Sequence, residues 1–143
     1  MDNFESNKKY FGRYLNYVNQ IERLNDRYNE LSIKINSTQS KNLDGMPRNG
    51  TVHFLDDDVI ELDELEHRIK SLIDESKNLK HEITSALDRL DNPDYSIILE
   101  KRFIYNKTMN VIADEIFRSE RQTQRLYSQA MNKYKFGNDP PPI

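Results

Sequence analysis

Hydrophobic residues in the first third of the chain recur at alternating spacings of three and four positions. The stripe consists of Tyr14, Tyr17, Ile21, Leu24, Tyr28, Leu31 and Ile35. This heptad pattern predicts one helix over about residues 4–36. At ~1.5 Å per residue the helix would be roughly 45–50 Å long, too long to be buried in a chain of 143 residues. We therefore expect a second long helix to cover its apolar stripe.

A second stripe with the same rhythm follows in the middle of the chain. It consists of Leu62, Leu65, Ile69, Leu72, Ser76, Leu79, Ile83, Ala86 and Leu90. Aspartates at positions 56–58 favour a helix start through N-capping and the helix dipole, and Pro93 favours an end because the residue before proline avoids helical geometry. Residues 37–57 are rich in Asn, Ser, Gly and Pro and have no period, so we predict a flexible loop there.

The two long helices can pair within one chain or between two chains, and the pattern leaves both arrangements open. The tyrosine-rich first stripe favours a broad, uneven interface over a regular two-stranded coil. We therefore favour an intrachain antiparallel hairpin, which could dimerise as a four-helix bundle. The residues expected at the hairpin or dimer interface are Tyr14, Tyr17, Ile21, Leu24, Tyr28, Leu31, Leu65, Ile69, Leu72 and Leu79.

Three shorter helices are predicted in the last third of the chain. Asn92 caps the first of them, with Pro93 at the first helical position. Thr108 caps the second. Ser119 caps the third, and Gln122 completes the Ser-x-x-Gln form of a capping box. The spacing therefore predicts a compact trihelical unit.

The predicted fold class is all-α, a long antiparallel coiled-coil helical hairpin followed by a C-terminal helix-turn-helix domain. The two-helix arm takes residues 1–91 and the helix-turn-helix domain residues 92–136. Residues 137–143 are expected to be a disordered tail, because the stretch FGNDPPPI, from Phe136 onward, cannot continue a helix.

The last helix, predicted over residues 119–135, carries an outward face of arginine and glutamine. Arginine pairs with guanine O6 and N7, glutamine pairs with adenine N6 and N7, and the first turns of a recognition helix reach base edges. Lysines nearby would hold phosphates. Glu120 opposes this assignment because it would lie close to phosphate, and the alternative is an ordinary solvated surface helix. The candidate DNA-binding residues are Arg118, Ser119, Arg121, Gln122, Gln124, Arg125, Lys107 and Lys133.

Residues 99–134 resemble the C-terminal helix-turn-helix of sigma-factor region 4 and its phage relatives. The matching positions are Leu99, Arg102, Phe103, Ile112, Ala113, Ser119 and Ala130. With its two long helices and the GMPRNG segment at residues 45–50, the whole chain resembles the ArpU/RinA-like transcriptional regulators of phages of Gram-positive bacteria. The resemblance implies a regulator that activates late, packaging and structural genes.

One position departs from the pattern of these relatives. They have a small or turn-forming residue followed by an apolar one just before the serine, whereas this chain has Phe117 and Arg118. Because phenylalanine strongly disfavours positive φ, we predict that the turn avoids left-handed geometry at Phe117 and that the ring packs against the domain.

The net charge of −3 is unevenly distributed along the chain. Residues 37–93 hold seven basic and thirteen acidic side chains, so the acidity lies in the middle of the chain. Residues 107–135 hold six basic and three acidic side chains. The basic surplus coincides with the candidate DNA-binding helix.

The sequence offers no support for an enzyme, a metal site or a cofactor. The chain has no cysteine, its three histidines do not converge, and it has no phosphate-binding glycine loop and no paired nucleophile and base. No run approaches the ~18 apolar residues of a membrane span. We therefore expect an intracellular protein without membrane contact, and the resemblance to phage regulators implies the bacterial host cytoplasm.

Three functions fit these patterns. The first is a homodimeric, sequence-specific regulator of phage late genes that binds double-stranded DNA, with RNA polymerase as a further partner of the long helices. The second is a phage packaging protein, similar to a small terminase, in which the helix-turn-helix recognises a packaging site. The third is a coiled-coil adaptor that does not bind DNA.

Overall fold

The computed structural model describes residues 3–42 and 49–136. These residues contain five α-helices and no strand, which confirms the all-α prediction. The helices are α1 (Asn3–Asn42), α2 (Asn49–Asp88), α3 (Pro93–Phe103), α4 (Met109–Glu115) and α5 (Glu120–Lys133).

The predicted loop at residues 37–57 was wrong in its extent, because both long helices continue into it. Residues 37–42 belong to α1 and residues 49–57 to α2, and residues 43–48 lie outside the described part. Low helix propensity of Asn, Ser and Gly is a weak preference that a growing helix overrides. The aspartates at 56–58 consequently lie inside α2 and do not begin it. The predicted tail at 137–143 also lies outside the described residues.

The chain divides into two compact units at positions that the sequence did not predict. Described residues up to Asn16, together with those from Ser76 onward, form one unit, which we call the aromatic unit. The described part of Tyr17–Glu75 forms the other, which we call the aliphatic unit. The predicted boundary between residues 91 and 92 therefore does not separate compact bodies, because both long helices contribute to the aromatic unit.

The aliphatic unit is held by a narrow seam between α1 and α2. Leu24, Leu65 and Ile69 are buried at its centre. Partly buried residues pack around them, namely Ile21, Tyr28, Leu31, Leu72 and Ile73. Two ion pairs flank the seam, Arg27–Glu61 at 3.7 Å and Lys34–Asp58 at 3.6 Å. Since the later α1 residue pairs with the earlier α2 residue, the two segments run antiparallel within one chain.

The aromatic unit packs α3, α4 and α5 against each other and against the start of α1. The Phe11 ring stacks on the Phe103 ring with centroids 4.9 Å apart. Phe4 meets Tyr127 edge to face at 5.8 Å. Because Phe11 has no exposed surface, the first turns of α1 are part of the core around the three short helices.

Asn7 fixes the end of α5 from within α1. Its side-chain amide donates to the carbonyl oxygens of Met131 at 2.9 Å and of Tyr134 at 2.7 Å. Its carbonyl oxygen accepts the backbone N–H of Phe136 at 2.9 Å. A helix C-terminus leaves carbonyls without partners, so this fully buried side chain satisfies groups that burial would otherwise leave unpaired.

Helices in the described ranges do not combine the length and the apolar character that a membrane crossing requires.

Candidate nucleic-acid interface

The start of α5 is fixed by the Ser119 cap that the sequence predicted, while between these two described residues the reciprocal bond from the Gln122 side chain, which would complete a capping box, is not formed. The Ser119 hydroxyl accepts the backbone N–H of Gln122 at 3.0 Å. The Thr123 hydroxyl, which is fully buried, donates back to the Ser119 carbonyl at 2.9 Å. The Ser119 side chain therefore caps the helix, and a nucleic-acid contact by this residue is secondary to that role.

One face of α5 is buried, so the opposite face of the helix points to solvent. The buried residues are Thr123, Tyr127, Ala130 and Met131. Burial raises the pKa of the Tyr127 hydroxyl, against the opposing influence of the Arg102 guanidinium. At about 100° per residue, Arg125 lies nearly opposite the centre of this buried face, with Arg121 one turn earlier beside it.

The outward face of α5 holds the predicted base-reading residues together. Arg121, Gln122, Gln124 and Arg125 are all exposed, Gln124 at the edge nearest the buried face. Arg121 and Arg125 make no hydrogen bond or ion pair with the residues that the structure describes. Glu120, also exposed, lies in the first helical turn, where a carboxylate stabilises the positive end of the helix dipole. The surface thus combines two available guanidinium groups with amide side chains.

Close packing of α4 against α5 supports this face. Ile112 and Ala113 are the buried residues of α4. Thr108 occupies the N-cap position as predicted, but its hydroxyl donates to the Asn110 side chain and makes no capping bond. The α4 helix is therefore held by its buried residues and its C-terminal turn more than by its start.

The turn between α4 and α5 has the hydrogen bonds of a Schellman motif. The Phe117 N–H donates to the Asp114 carbonyl at 3.3 Å, and the Arg118 N–H donates to the Ala113 carbonyl at 3.0 Å. This pattern requires a left-handed residue at the position after the C-cap, where glycine is usual. Phe117 occupies that position.

The prediction for Phe117 was wrong on both points. Its φ is +58°, and its side chain is 95% exposed. The two turn hydrogen bonds satisfy carbonyls at the end of α4, and together with α4–α5 packing they hold a backbone conformation that costs a non-glycine residue about 1–3 kcal/mol. The steric preference of phenylalanine is real, but a local hydrogen-bond pattern outweighs it here.

Arg118 is turned toward the body of the domain. Its Nη2 atom lies 2.7 Å from Oδ2 of Asp94, in the first turn of α3. The ion pair ties the turn to α3. A DNA contact by Arg118, as predicted, would have to share or break this pair, so the residue is better placed to position the turn than to read a base.

The predicted phosphate-binding lysines differ in their surroundings. Lys107 Nζ lies 2.6 Å from Glu115, which also binds Lys101 at 2.8 Å. Hydrogen bonds from Lys101 and then from Lys107 hold the pKa of Glu115 below its usual value. Lys133 is exposed, with its Nζ 5.4 Å from the Tyr134 ring centroid. Lys133 is therefore the more available of the two for a phosphate.

The predicted interface residues of the long helices fall into both units. Leu24, Leu65 and Ile69 are buried inside the chain, in the aliphatic unit. Tyr14 and Leu79 belong to the aromatic unit, where Leu79 is buried and Tyr14 half-buried. The seam's central residues are consequently covered without a second chain.

Sequence reasoning missed the contribution of Phe4 and Asn7, which join Phe11 in this part of the molecule. These three residues follow each other at spacings of three and four, so a heptad phase that begins at Phe4 finds them. The predicted stripe instead began at Tyr14. Tyr10, one step before it, lies near the surface, where its hydroxyl donates to Glu82 at 2.8 Å. In the described ranges no group of His, Asp and Glu is arranged to hold a metal ion.

Comparisons with known proteins give the chain no relative: no family model matches it, and neither does any curated protein or solved structure.

Proposed function

We propose that the protein is a sequence-specific transcriptional regulator that reads double-stranded DNA with the outward face of α5. The observation that carries the proposal is the exposed set of Arg121, Gln122 and Arg125 on the first turns of a helix whose opposite face is buried. Arginine and glutamine are the side chains that pair bidentately with guanine and adenine in the major groove. In this proposal α4, the turn and α5 act as a helix-turn-helix.

The charge around α5 agrees with this proposal. Residues 107–135 have twice as many basic as acidic side chains. Lys133 would contact a phosphate, which sets position and salt dependence without reading sequence. Glu120 would lie near the DNA backbone and weaken binding, so Glu120→Gln should tighten binding to all sequences alike.

The long helices have a supporting part in the proposal. We propose that the coiled-coil hairpin of α1 and α2 presents a surface to a second copy of the chain or to RNA polymerase. In a two-fold dimer the half-sites would lie about 34 Å apart, or a multiple of that distance. The resemblance of the whole chain to ArpU/RinA-like phage regulators makes phage late genes the proposed targets.

The test starts from a pool of random duplexes, from which the full chain selects a binding sequence. Affinity for that sequence is then measured at several salt concentrations. Arg121→Ala and Gln122→Ala should each cost roughly 1–3 kcal/mol and relax the base preference at one position. Lys133→Ala should weaken all duplexes equally and flatten the salt dependence by about one charge.

Matched controls come from exposed residues elsewhere in the chain. Arg68 and Gln20 are exposed helical residues of the aliphatic unit. Arg68→Ala and Gln20→Ala should leave the selected sequence and its affinity unchanged. Selection of no sequence by the wild-type chain would refute the DNA-binding proposal and leave the adaptor function as its replacement.

A further inference from the structure

Phe117 carries a side chain that the turn does not need. The ring is 95% exposed, and the backbone carrying it is left-handed. The turn hydrogen bonds from Phe117 and Arg118 involve backbone atoms, so any residue that tolerates positive φ would complete them.

A second turn in the same unit shows which kind of residue suits a left-handed position. Asn106, between α3 and α4, has a φ of +55°. Asparagine adopts this conformation readily because its short polar side chain bonds locally. The chain thus uses a suitable residue at one left-handed position and a large apolar one at the other, so the Phe117 side chain is better explained by an external contact than by the turn.

The position of Phe117 relative to α5 indicates what that contact is. Phe117 precedes the N-cap Ser119 by two residues and Arg121 by four. Because a chain spans at most ~3.3–3.6 Å per residue, the Cα atoms of Phe117 and Arg121 lie within about 14 Å of each other. This distance is comparable to the ~12 Å width of the major groove. Its neighbours Arg118, Ser119 and Glu120 are exposed and polar. A single exposed ring followed by polar residues does not form the clustered apolar anchor of a protein interface.

We propose that Phe117 is a specificity-determining residue that contacts the 5-methyl group of a thymine in the major groove, beside the bases facing Arg121 and Gln122. This inference rests on the DNA-reading function proposed above. The thymine methyl is the apolar group that base pairs present in the major groove, and aromatic side chains make apolar contact with it. The remaining groove edges are hydrogen-bond donors and acceptors, which a phenyl ring cannot satisfy.

The experiment uses the full chain and the duplex it selects from a random pool. Each thymine is replaced in turn by deoxyuridine, which lacks only the 5-methyl group. At one position adjoining the Arg121 and Gln122 contacts, the wild-type chain should lose about fourfold in affinity, equivalent to about 0.8 kcal/mol for one buried methyl-sized group. Phe117→Gly should bind the thymine duplex more weakly and should not distinguish thymine from uracil at that position.

Phe117→Gly and Phe117→Asn both accept positive φ, so both should fold. Thermal unfolding should place each at or above the wild-type midpoint, and both should lose the methyl effect. Persistence of the thymine preference in the two variants would overturn the inference, as would the absence of any deoxyuridine effect in wild type. Unchanged DNA binding by both variants would also overturn it and would assign the ring to a protein contact.

The outcomes separate this inference from the function on which it rests. If wild type selects a sequence and Arg121→Ala relaxes it, but deoxyuridine has no effect, the DNA-reading function stands and the role of Phe117 is refuted. If wild type selects no sequence, both are refuted.

Discussion

The aromatic unit and the aliphatic unit draw on the same two long helices but are stabilised by different chemistry. In the aromatic unit, rings such as Phe11 and Phe103 stack, and the buried Asn7 joins α1 to the end of α5. In the aliphatic unit, a two-helix seam centred on Leu24 is flanked by the ion pairs Arg27–Glu61 and Lys34–Asp58. The same heptad rhythm therefore supports a multi-helix core in one unit and a narrow seam in the other.

The largest effect that tests this difference comes from removing one central side chain in each unit. Phe11→Ala should reduce the free energy of unfolding by about 3–5 kcal/mol, and Leu24→Ala by about 2–5 kcal/mol, because each leaves a cavity where burial is complete. Amide hydrogen exchange should accelerate in α3 and α5 for Phe11→Ala, and between residues 20 and 35 for Leu24→Ala. Identical exchange patterns in the two variants would contradict the division into two units.

A smaller effect comes from the polar anchor of the aromatic unit. Asn7→Ala leaves the Met131 and Tyr134 carbonyls and the Phe136 N–H without their side-chain partner. We expect a loss of about 1–3 kcal/mol, the cost of leaving buried polar groups unpaired. Urea unfolding measures this loss.

The control for Asn7→Ala is Asn25→Ala, at an exposed position of α1 in the aliphatic unit. It should change stability by less than about 0.5 kcal/mol. An equal loss in the two variants would contradict the role of the anchor, since replacing asparagine by alanine raises helix propensity at both positions.

A pH-dependent difference should arise at Tyr10. Burial, together with the hydrogen bond to Glu82, raises the pKa of its hydroxyl from 10.0 to about 12. The folded state therefore keeps the proton where the unfolded chain loses it. This contribution to stability is intact below pH 10 and is lost as the pH rises through 12. Between these values, unfolding midpoints of wild type should fall more steeply than those of Tyr10→Phe. Parallel pH profiles would show that the folded state does not hold this proton.

The smallest effect is expected at the rim of the aliphatic seam. Arg27 and Glu61 are about half exposed and 3.7 Å apart. Arg27→Ala should cost about 0.2–1 kcal/mol, the range of exposed ion pairs. Near 1 M salt, where the Debye length is about 3 Å, the charge-dependent part should disappear. A loss as large as that of Leu24→Ala would mean that ion pairing, and not the apolar seam, holds this unit together.

Short sequence motifs correctly predicted helix caps, whereas features that depend on contacts between distant residues could not be predicted from them. Asn92 and Ser119 cap their helices as predicted, because a cap depends on the next three residues. The unit boundaries at Asn16 and Ser76 depend on which residues meet across the fold, and no periodicity encodes that. The prediction for Phe117 failed for another reason. The steric preference of its side chain against positive φ competes with the hydrogen bonds of the turn, and the sequence does not reveal which of the two determines the backbone conformation.

The Asn7 anchor also bears on how the chain folds during synthesis. Its hydrogen bonds join residues separated by 124, 127 and 129 positions. Contacts of such separation must close a very long loop before they contribute, and they slow folding relative to bundles with local contacts. Since α1 is synthesised before α5, its first turns lack these partners until α5 has been made. A fragment that starts at Pro93 would contain α3, α4 and α5 and still lack the Phe11 ring and the Asn7 amide that complete their core.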